Sequence, residues 1–243
     1  MRDLFEPYII SKEVPEGFEV FHRDDHGRQN RLLLRFAIRS QQLPQGLKAG
    51  ETEAERVIEA IKCQQKVVLL GAKHLAPIYY FHEDERGIWY VTDRFRGTVE
   101  DWVTSGCNHT RIYTVVSDVL AGLSELMRKS SPPRGHGNLQ TSTVFYQRGT
   151  WLKRERYVLS DLKPLPAHAN MDDVIGNDLQ ALAKIIYLLI KGQPLPDESL
   201  NPEEEWSSLS DLRKRRFTKA QALHWFQKCN QLCNHGYHQS TTA

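Results

Sequence analysis

An α+β chain of two lobes, a small strand-rich one followed by a larger helical one, is the fold class the sequence predicts. Three patterns predict it. Residues 18–38 and 76–92 carry short apolar or alternating runs divided by turn residues. A single helical pattern, Glu51 to Gln65, lies between them. After about residue 95 the pattern turns to long amphipathic helices, and strands that come before helices in this way mark an α+β architecture. Residues 1–95 are therefore expected to form the small antiparallel β lobe with one helix. Residues 96–235 are expected to form the mainly α-helical lobe, and residues 236–243 a disordered tail.

Composition narrows the function classes. The chain has 243 residues, 40% hydrophobic and 26% charged, as ordinary globular domains do. Lys and Arg total 32 against 30 Asp and Glu, a net charge of +2. That balance gives no support for a strongly basic nucleic-acid binder. The first residues hold no apolar run of signal-peptide length. The longest apolar run, Leu179 to Ile190, is interrupted by Gln180 and Lys184 and is too short to cross a bilayer. Four scattered cysteines (Cys63, Cys107, Cys229, Cys233) suit a reducing compartment. A cytoplasmic protein, or a cytosolic domain of a larger one, is expected.

In order along the chain, Phe18–His22 alternates as a half-buried strand, and Asp24–Arg28 is turn chemistry. Leu32–Arg39 reads as a strand or a strand pair, and Gln41–Gly50 as a loop. Ala54, Val57, Ile58 and Ile61 form the buried stripe of the first helix, whose acidic start complements its dipole. Ala76–His82 and Ile88–Thr92, around the turn Glu83–Gly87, make a hairpin. A short helix opens at Gly97–Val103 with Thr98 as N-cap. Arg111 to Met127 is a long amphipathic helix that cannot continue through Pro132-Pro133. A polar hairpin tip is expected at Arg148-Gly149. Asn177 to Ile190 is a second apolar helix, stopped by Gly192 and Pro194. Leu209 to Cys233 is mostly helical.

The segment Arg134 to Asp161 carries the functional signal. His136-Gly137-Asn138-Leu139 stands in place of H-R-D-L, Thr143-Val144-Phe145-Tyr146 in place of N-[VI]-L-[LIV], and Leu159-Ser160-Asp161-Leu162-Lys163 in place of L-x-D-F-G. With Phe36-Ala37-Ile38-Arg39 against V-A-I-K, Asn177–Leu182 against D-x-[WY]-[SA]-[LF]-G, and Arg215–Leu223 against R-P-[ST]-x-x-[QE]-[AV]-L, the chain resembles a protein kinase domain over nearly its whole length. The resemblance implies a two-lobed protein-kinase-like fold. Thr92 would lie near the gatekeeper position and Asp93–Gly97 at the hinge. His136 would be a packed core histidine, and Asp178 would hydrogen-bond the catalytic-loop backbone.

The departures imply that chemistry has been lost. The base position is Asn138, whose neutral amide cannot accept a proton. The metal-binding Asn position is Thr143. Asp161 is retained, but Leu162 and Lys163 replace Phe and Gly. Arg39 takes the place of the phosphate-gripping Lys, with Glu55 or Glu59 as its carboxylate partner, and Arg is not interchangeable with Lys. Between Val14 and Arg31 the glycines are Gly17 and Gly27, so no glycine-rich phosphate cradle is formed. Leu162 to Asn177 is far shorter than a kinase activation segment.

These lesions describe a pseudokinase. Its H-G-N loop resembles those of Janus kinase pseudokinase domains and plant receptor-like pseudokinases. Gly97–Trp102 and the His82–Glu85 turn are similar to the kinase modules of the unfolded-protein-response kinase/ribonuclease and 2-5A-dependent ribonuclease families, although ribonuclease activity is not expected. The resemblance implies a catalytically inactive module that binds another protein, such as an active kinase, a receptor or a signalling partner, with no nucleic acid, no cofactor and no resident metal. Two alternatives remain from the residues. One is residual phosphotransfer, with Asp161 holding Mg²⁺ and Arg39 the phosphates. The other is a nucleotide-binding switch in which Arg39, Thr92, Asp93, Asn138, Thr143 and Asp161 hold ATP weakly, with or without Mg²⁺. His224, Cys229, Cys233, His235 and His238 match no zinc module in spacing. The basic runs Lys153-Arg154-Arg156 and Arg213–Arg216 are expected to be solvated faces.

Overall fold

The computed structural model describes residues 5–14, 17–25, 31–39, 53–147, 154–166 and 168–237, with the side chains of 235–237 excepted. His26, Gly27 and Arg28 of the expected turn, the 41–50 loop, the Arg148-Gly149 tip, Lys153, His238 and the side chain of His235 lie outside these residues.

The first lobe is a five-stranded antiparallel sheet and one helix. Its elements are β1 (Tyr8–Val14), β2 (Gly17–His22), β3 (Leu32–Arg39), α1 (Glu53–Leu69), β4 (Ile78–Asp84) and β5 (Gly87–Asp93). The strand order is β1-β2-β3-β5-β4. Strand β5 sits between β3 and β4 and is buried along all but its last residue, which is why its sequence is apolar rather than alternating. Strand β1 was not expected; its interior, Ser11-Lys12-Glu13, is exposed and polar, as suits an edge strand.

The sheet has two apolar faces. Leu34, Trp89 and Val91 join Phe5, Tyr8 and Val20 on the outer face. Ile38, Ile88 and Tyr90 pack with Val57, Ile61 and Ile78 on the face toward α1.

The second lobe holds β6 (Gly97–Thr98), α2 (Asp101–Ser105), α3 (His109–Lys129), β7 (Val144–Gln147), β8 (Arg156–Leu159), α4 (Met171–Lys191), α5 (Pro202–Ser207), α6 (Asp211–Lys214) and α7 (Lys219–Tyr237). Its core joins one face each of α3, α4 and α7. The two-lobed α+β architecture is as expected, and the corrections are local. Thr98 is not a helix cap: it pairs with Phe145 in β6–β7, and its N–H bonds Asp101 Oδ2 at 3.2 Å. Helix α4 begins at Met171 rather than Asn177. Asn170 caps it by accepting from Asp172 N, and Asp172 and Asp173 favour the positive end of its dipole. Helix α5 was also missed, although Asn201-Pro202 followed by three glutamates is a helix-start signature.

The basic run at 213–216 is not simply a solvated face. Arg213 donates to the carbonyls of Leu189 and Ile190 at the end of α4 and to Val103, and Arg216 donates to Gly106 O. Cys229 is buried on α7, with its Sγ 3.5 Å from Ala183 O. Among the described residues no helix is long and apolar enough to cross a membrane.

Candidate functional site in the interlobe cleft

The loop around His136 is tied to α4. Asp178, buried in the second turn of that helix, accepts from His136 N at 2.6 Å and Gly137 N at 2.8 Å. Both N–H groups can point the same way because Gly137 has φ of 71°, a left-handed conformation that suits glycine. Gly135 allows the close approach: a Cβ there would lie 2.7 Å from Asp178 Oδ2. Burial pushes the Asp178 carboxyl up to about 6, against the pull of these two backbone bonds.

The His136 ring is fully buried, and burial lowers its pKa to about 4. Its Nδ1 accepts from Asn138 N at 3.2 Å, which leaves Nε2–H to donate to Ser160 O at 2.9 Å. A neutral imidazole therefore joins the loop to the segment that carries Asp161.

Asn138 and Thr143 are both consumed by this scaffold. Asn138 Nδ2 donates to Asp161 O at 3.1 Å, and its Oδ1 accepts from Gln140 Nε2 at 3.4 Å. The Thr143 hydroxyl accepts from Gln140 N at 3.1 Å and lies 3.0 Å from Asn138 O, closing a capped turn over Thr141–Thr143.

Asp161 holds a left-handed backbone conformation with φ of 61°. Its Oδ1 accepts from the Tyr90 hydroxyl, and its Oδ2 lies 3.0 Å from Arg35 Nη1. Both side chains of that ion pair are mostly buried, at 18% and 20% exposure. The Arg35 guanidinium also lies over the Phe145 ring, 4.7 Å from its centroid. Burial and the Asp161 charge push the Tyr90 phenol well up, so it stays a donor. The first lobe (Arg35, Tyr90) is thus strapped to the second (Asp161, Phe145) across the cleft.

Arg39 is not in the cleft. Its guanidinium lies over the Phe36 ring at 4.8 Å, on an exposed side chain. The cause is a bulge: Phe36 pairs with Trp89 and Ile38 with Ile88, so the alternation along β3 slips by one at Ala37. Upstream of the slip, Arg35 opposes Tyr90 and faces the cleft. Downstream, Ile38 takes the inner face and Arg39 the outer one.

Glu55 and Glu59 were the carboxylates expected to partner the strand cation. Both are exposed, and neither lines the cleft. The cleft side of α1 presents Val57 and Gln64 instead, and Gln64 Nε2 bonds Ala76 O at 2.7 Å.

Thr92 is buried, and neither it nor Asp93 lines the open part of the cleft. The Asp93 carboxylate accepts from Tyr79 OH at 2.7 Å and Gln147 Nε2 at 3.3 Å. Burial, followed by that bond to Asp93, raises the Tyr79 phenol to about 12. Beside them Phe95 packs on Phe145, ring centroids 5.1 Å apart. Arg94 Nε reaches buried Glu19 of β2 at 3.5 Å. What stays open is a space of about 410 Å³ between α1, β3 and the loop, with Arg35, Glu53, Asn138, Asp161 and Lys163 among its lining. Sequence reasoning missed Arg35, Tyr90, Gln64 and Lys163 as cleft residues. The antiparallel pairing of β3 with β5 could have suggested the Arg35–Tyr90 pair, had its register been known.

No protein-family model matches the chain, and no curated protein matches it by sequence. Solved structures do match. The kinase domain of PknI from Mycobacterium tuberculosis superposes with a TM-score of 0.55 over 98% of this chain and 98% of that one, at 15% identity. A double-mutant form of the same domain superposes with a TM-score of 0.53 over 97% of each chain, at 14% identity. At that identity the likeness establishes the fold: this chain has the fold of a protein kinase domain.

Proposed function

We infer that this chain, with the fold of a protein kinase domain, acts as a catalytically inactive protein-interaction and allosteric module in cytoplasmic signalling. The observation that carries the reading is the state of Asp161. Of its two carboxylate oxygens, one accepts from Tyr90 and the other meets Arg35. Mg²⁺ asks for near-ideal octahedral oxygen ligation and comes with bound phosphates. A carboxylate committed to a phenol and a guanidinium does not suit it. The neighbouring Asn138 and Thr143 are neutral and already hydrogen-bonded.

Three further features support the reading. A proton acceptor for a substrate hydroxyl is missing where the base would stand, because Asn138 holds that place. Only the nine residues 162–170 separate Asp161 from α4, leaving little chain to form a platform for a peptide substrate. The loop, by contrast, is rigidly held by Asp178 and His136. Such a fold works by presenting surfaces to another protein, and its partners are an active kinase, a receptor or another signalling protein.

A second reading, residual phosphotransfer or nucleotide sensing, is favoured by the open space of about 410 Å³ with Arg35 and Lys163 on its wall. It requires the Arg35–Asp161 pair to open, and it transfers the phosphate-binding role from Arg39 to Arg35. Calorimetric titration with ATP, in the presence and absence of Mg²⁺, separates the readings. No heat at millimolar nucleotide is expected. Mg²⁺-dependent binding that Arg35→Ala alters and Arg39→Ala does not would establish the second reading.

A further inference from the structure

Helix α1 has two working faces. Glu53, Val57, Ala60, Ile61 and Gln64 line the cleft. The opposite face, through Glu59, Cys63, Lys66 and Val67, lines a separate groove of about 590 Å³. Its other walls are the stretch Ser130–Arg134 that leads into the loop and, from the short segment after Asp161, Leu165, Pro166, Ala169 and Met171. Only the short stretch 162–170 separates Asp161 from α4, and the Ala169 N–H turns back onto Pro166 O at 3.0 Å within this wall.

We propose that this groove docks an acidic segment of a partner protein carrying an apolar anchor residue. The proposal rests on reading the chain as an interaction module, and it names where and by what chemistry the module binds. Charge points to the occupant. Lys62, Lys66 and Arg134 line the groove against one carboxylate, Glu59, in a chain whose overall charge is nearly balanced. Among the described residues no carboxylate forms an ion pair with any of the three cations. Arg134 donates instead to the carbonyls of Gly135 and Lys163, at 3.2 and 2.5 Å, which fixes its guanidinium without neutralising it.

The floor asks for an apolar contact. Cys63, Leu165 and Met171 are half-buried there beside Pro132, Pro133 and Pro166. Methionine adapts its shape to a partner. Leu69, the last residue of α1, and Leu70 just beyond it are 82% and 56% exposed. Nucleic acid is the poorer fit, because the groove holds a carboxylate and offers no aromatic face for a base. Since the other face of α1 lines the cleft, a segment seated here bears on the helix that the cleft also touches.

The test uses the whole chain and a phage-displayed library of random peptides about twelve residues long, enough to cover a groove of this kind. Enriched peptides are synthesised with a fluorophore, and their binding is read by anisotropy against the wild type and a Lys62→Glu/Lys66→Glu double variant. Both lysines are exposed, and an unchanged melting temperature of the variant verifies its fold. The expected peptides pair carboxylates with at least one apolar residue. Their affinity falls about tenfold or more in the double variant and weakens as salt is raised. Their amide shift changes centre on Cys63, Arg134 and Met171. Absence of enrichment, full affinity for the double variant, or shift changes centred elsewhere overturns the proposal. Phosphate transfer assayed on the wild type keeps the two readings apart. A failed groove with no transfer refutes the groove alone, whereas transfer that Asp161→Ala abolishes refutes the inactive reading whatever the peptides do.

Discussion

Removing either member of the Arg35–Asp161 pair destabilises the protein, because each change takes an opposite charge away from a mostly buried ion. At 3.0 Å and an effective dielectric constant of about 20, the Coulomb attraction is roughly 5 kcal/mol. Desolvation of both ions and about 2 kcal/mol of arginine rotamer entropy offset much of it. The coupling that remains is about 1–2 kcal/mol. Asp161→Asn keeps an acceptor for Tyr90 while removing the carboxylate charge that faces Arg35, and should cost about 2–3 kcal/mol. Arg35→Met should cost a comparable amount, including about 0.5–1 kcal/mol from the lost contact with Phe145. The double variant should cost less than the two singles together by the coupling energy. Urea unfolding of the four proteins, followed by fluorescence, measures each step. A coupling of zero within error, or single variants as stable as the wild type, would refute the claim that this pair straps the lobes together.

Asp178→Ala should cost about 2–5 kcal/mol in the same assay, since it strands the buried N–H of His136 and the part-buried N–H of Gly137; a cost below about 1 kcal/mol would remove Asp178 as the anchor of the loop. Arg39→Ala should change stability by no more than about 1 kcal/mol, the scale of an exposed cation–π contact, and a larger loss would place Arg39 in the core of the account. The pH dependence has a defined sign. The unfolded chain protonates His136 near 6.5 and the folded one near 4, so this group lowers stability as pH falls through that window. Asp178 is protonated near 6 when folded and near 3.8 when unfolded, so it raises stability as pH falls from about 6 to 3.8. The two nearly cancel. His136→Gln should leave the Asp178 contribution alone and gain about 3 kcal/mol of stability between pH 7 and 4 relative to the wild type's own change. Parallel urea-derived profiles for the two proteins would contradict the His136 assignment, and a variant whose stability does not rise between pH 7 and 4 would contradict that of Asp178.

The parts of this fold set by periodicity and by a local sequence pattern were legible in the chain. The buried stripe of α3 and the hairpin of β4 and β5 follow from periodicity and turn chemistry, and the tie from Asp178 to the His136 loop is what the resemblance to protein kinase domains implied. Strand β1 was not legible, because an edge strand with an exposed interior carries little apolar pattern. The start of α4 was hidden by the polar run Asp172–Asp173 and Gly176–Asp178, which is favourable at a helix start but breaks the apolar period. The site itself was half legible. Asn138, Thr143 and Asp161 lie together as their order along the chain implied, but the cation that meets Asp161 is Arg35 rather than Arg39. One bulged residue in β3 decides that exchange, and a bulge leaves no mark in the periodicity of eight residues.

Transfer of labelled phosphate from ATP is the most direct test of the central claim. The purified chain is incubated with Mg²⁺ or Mn²⁺ and generic protein substrates, beside an Asp161→Ala control. No incorporation above that control is expected, because Asn138 supplies no base and both Asp161 oxygens are already engaged. Incorporation by the wild type that disappears in Asp161→Ala would show that the pair opens, that Asp161 can hold a metal, and that the module is an enzyme after all.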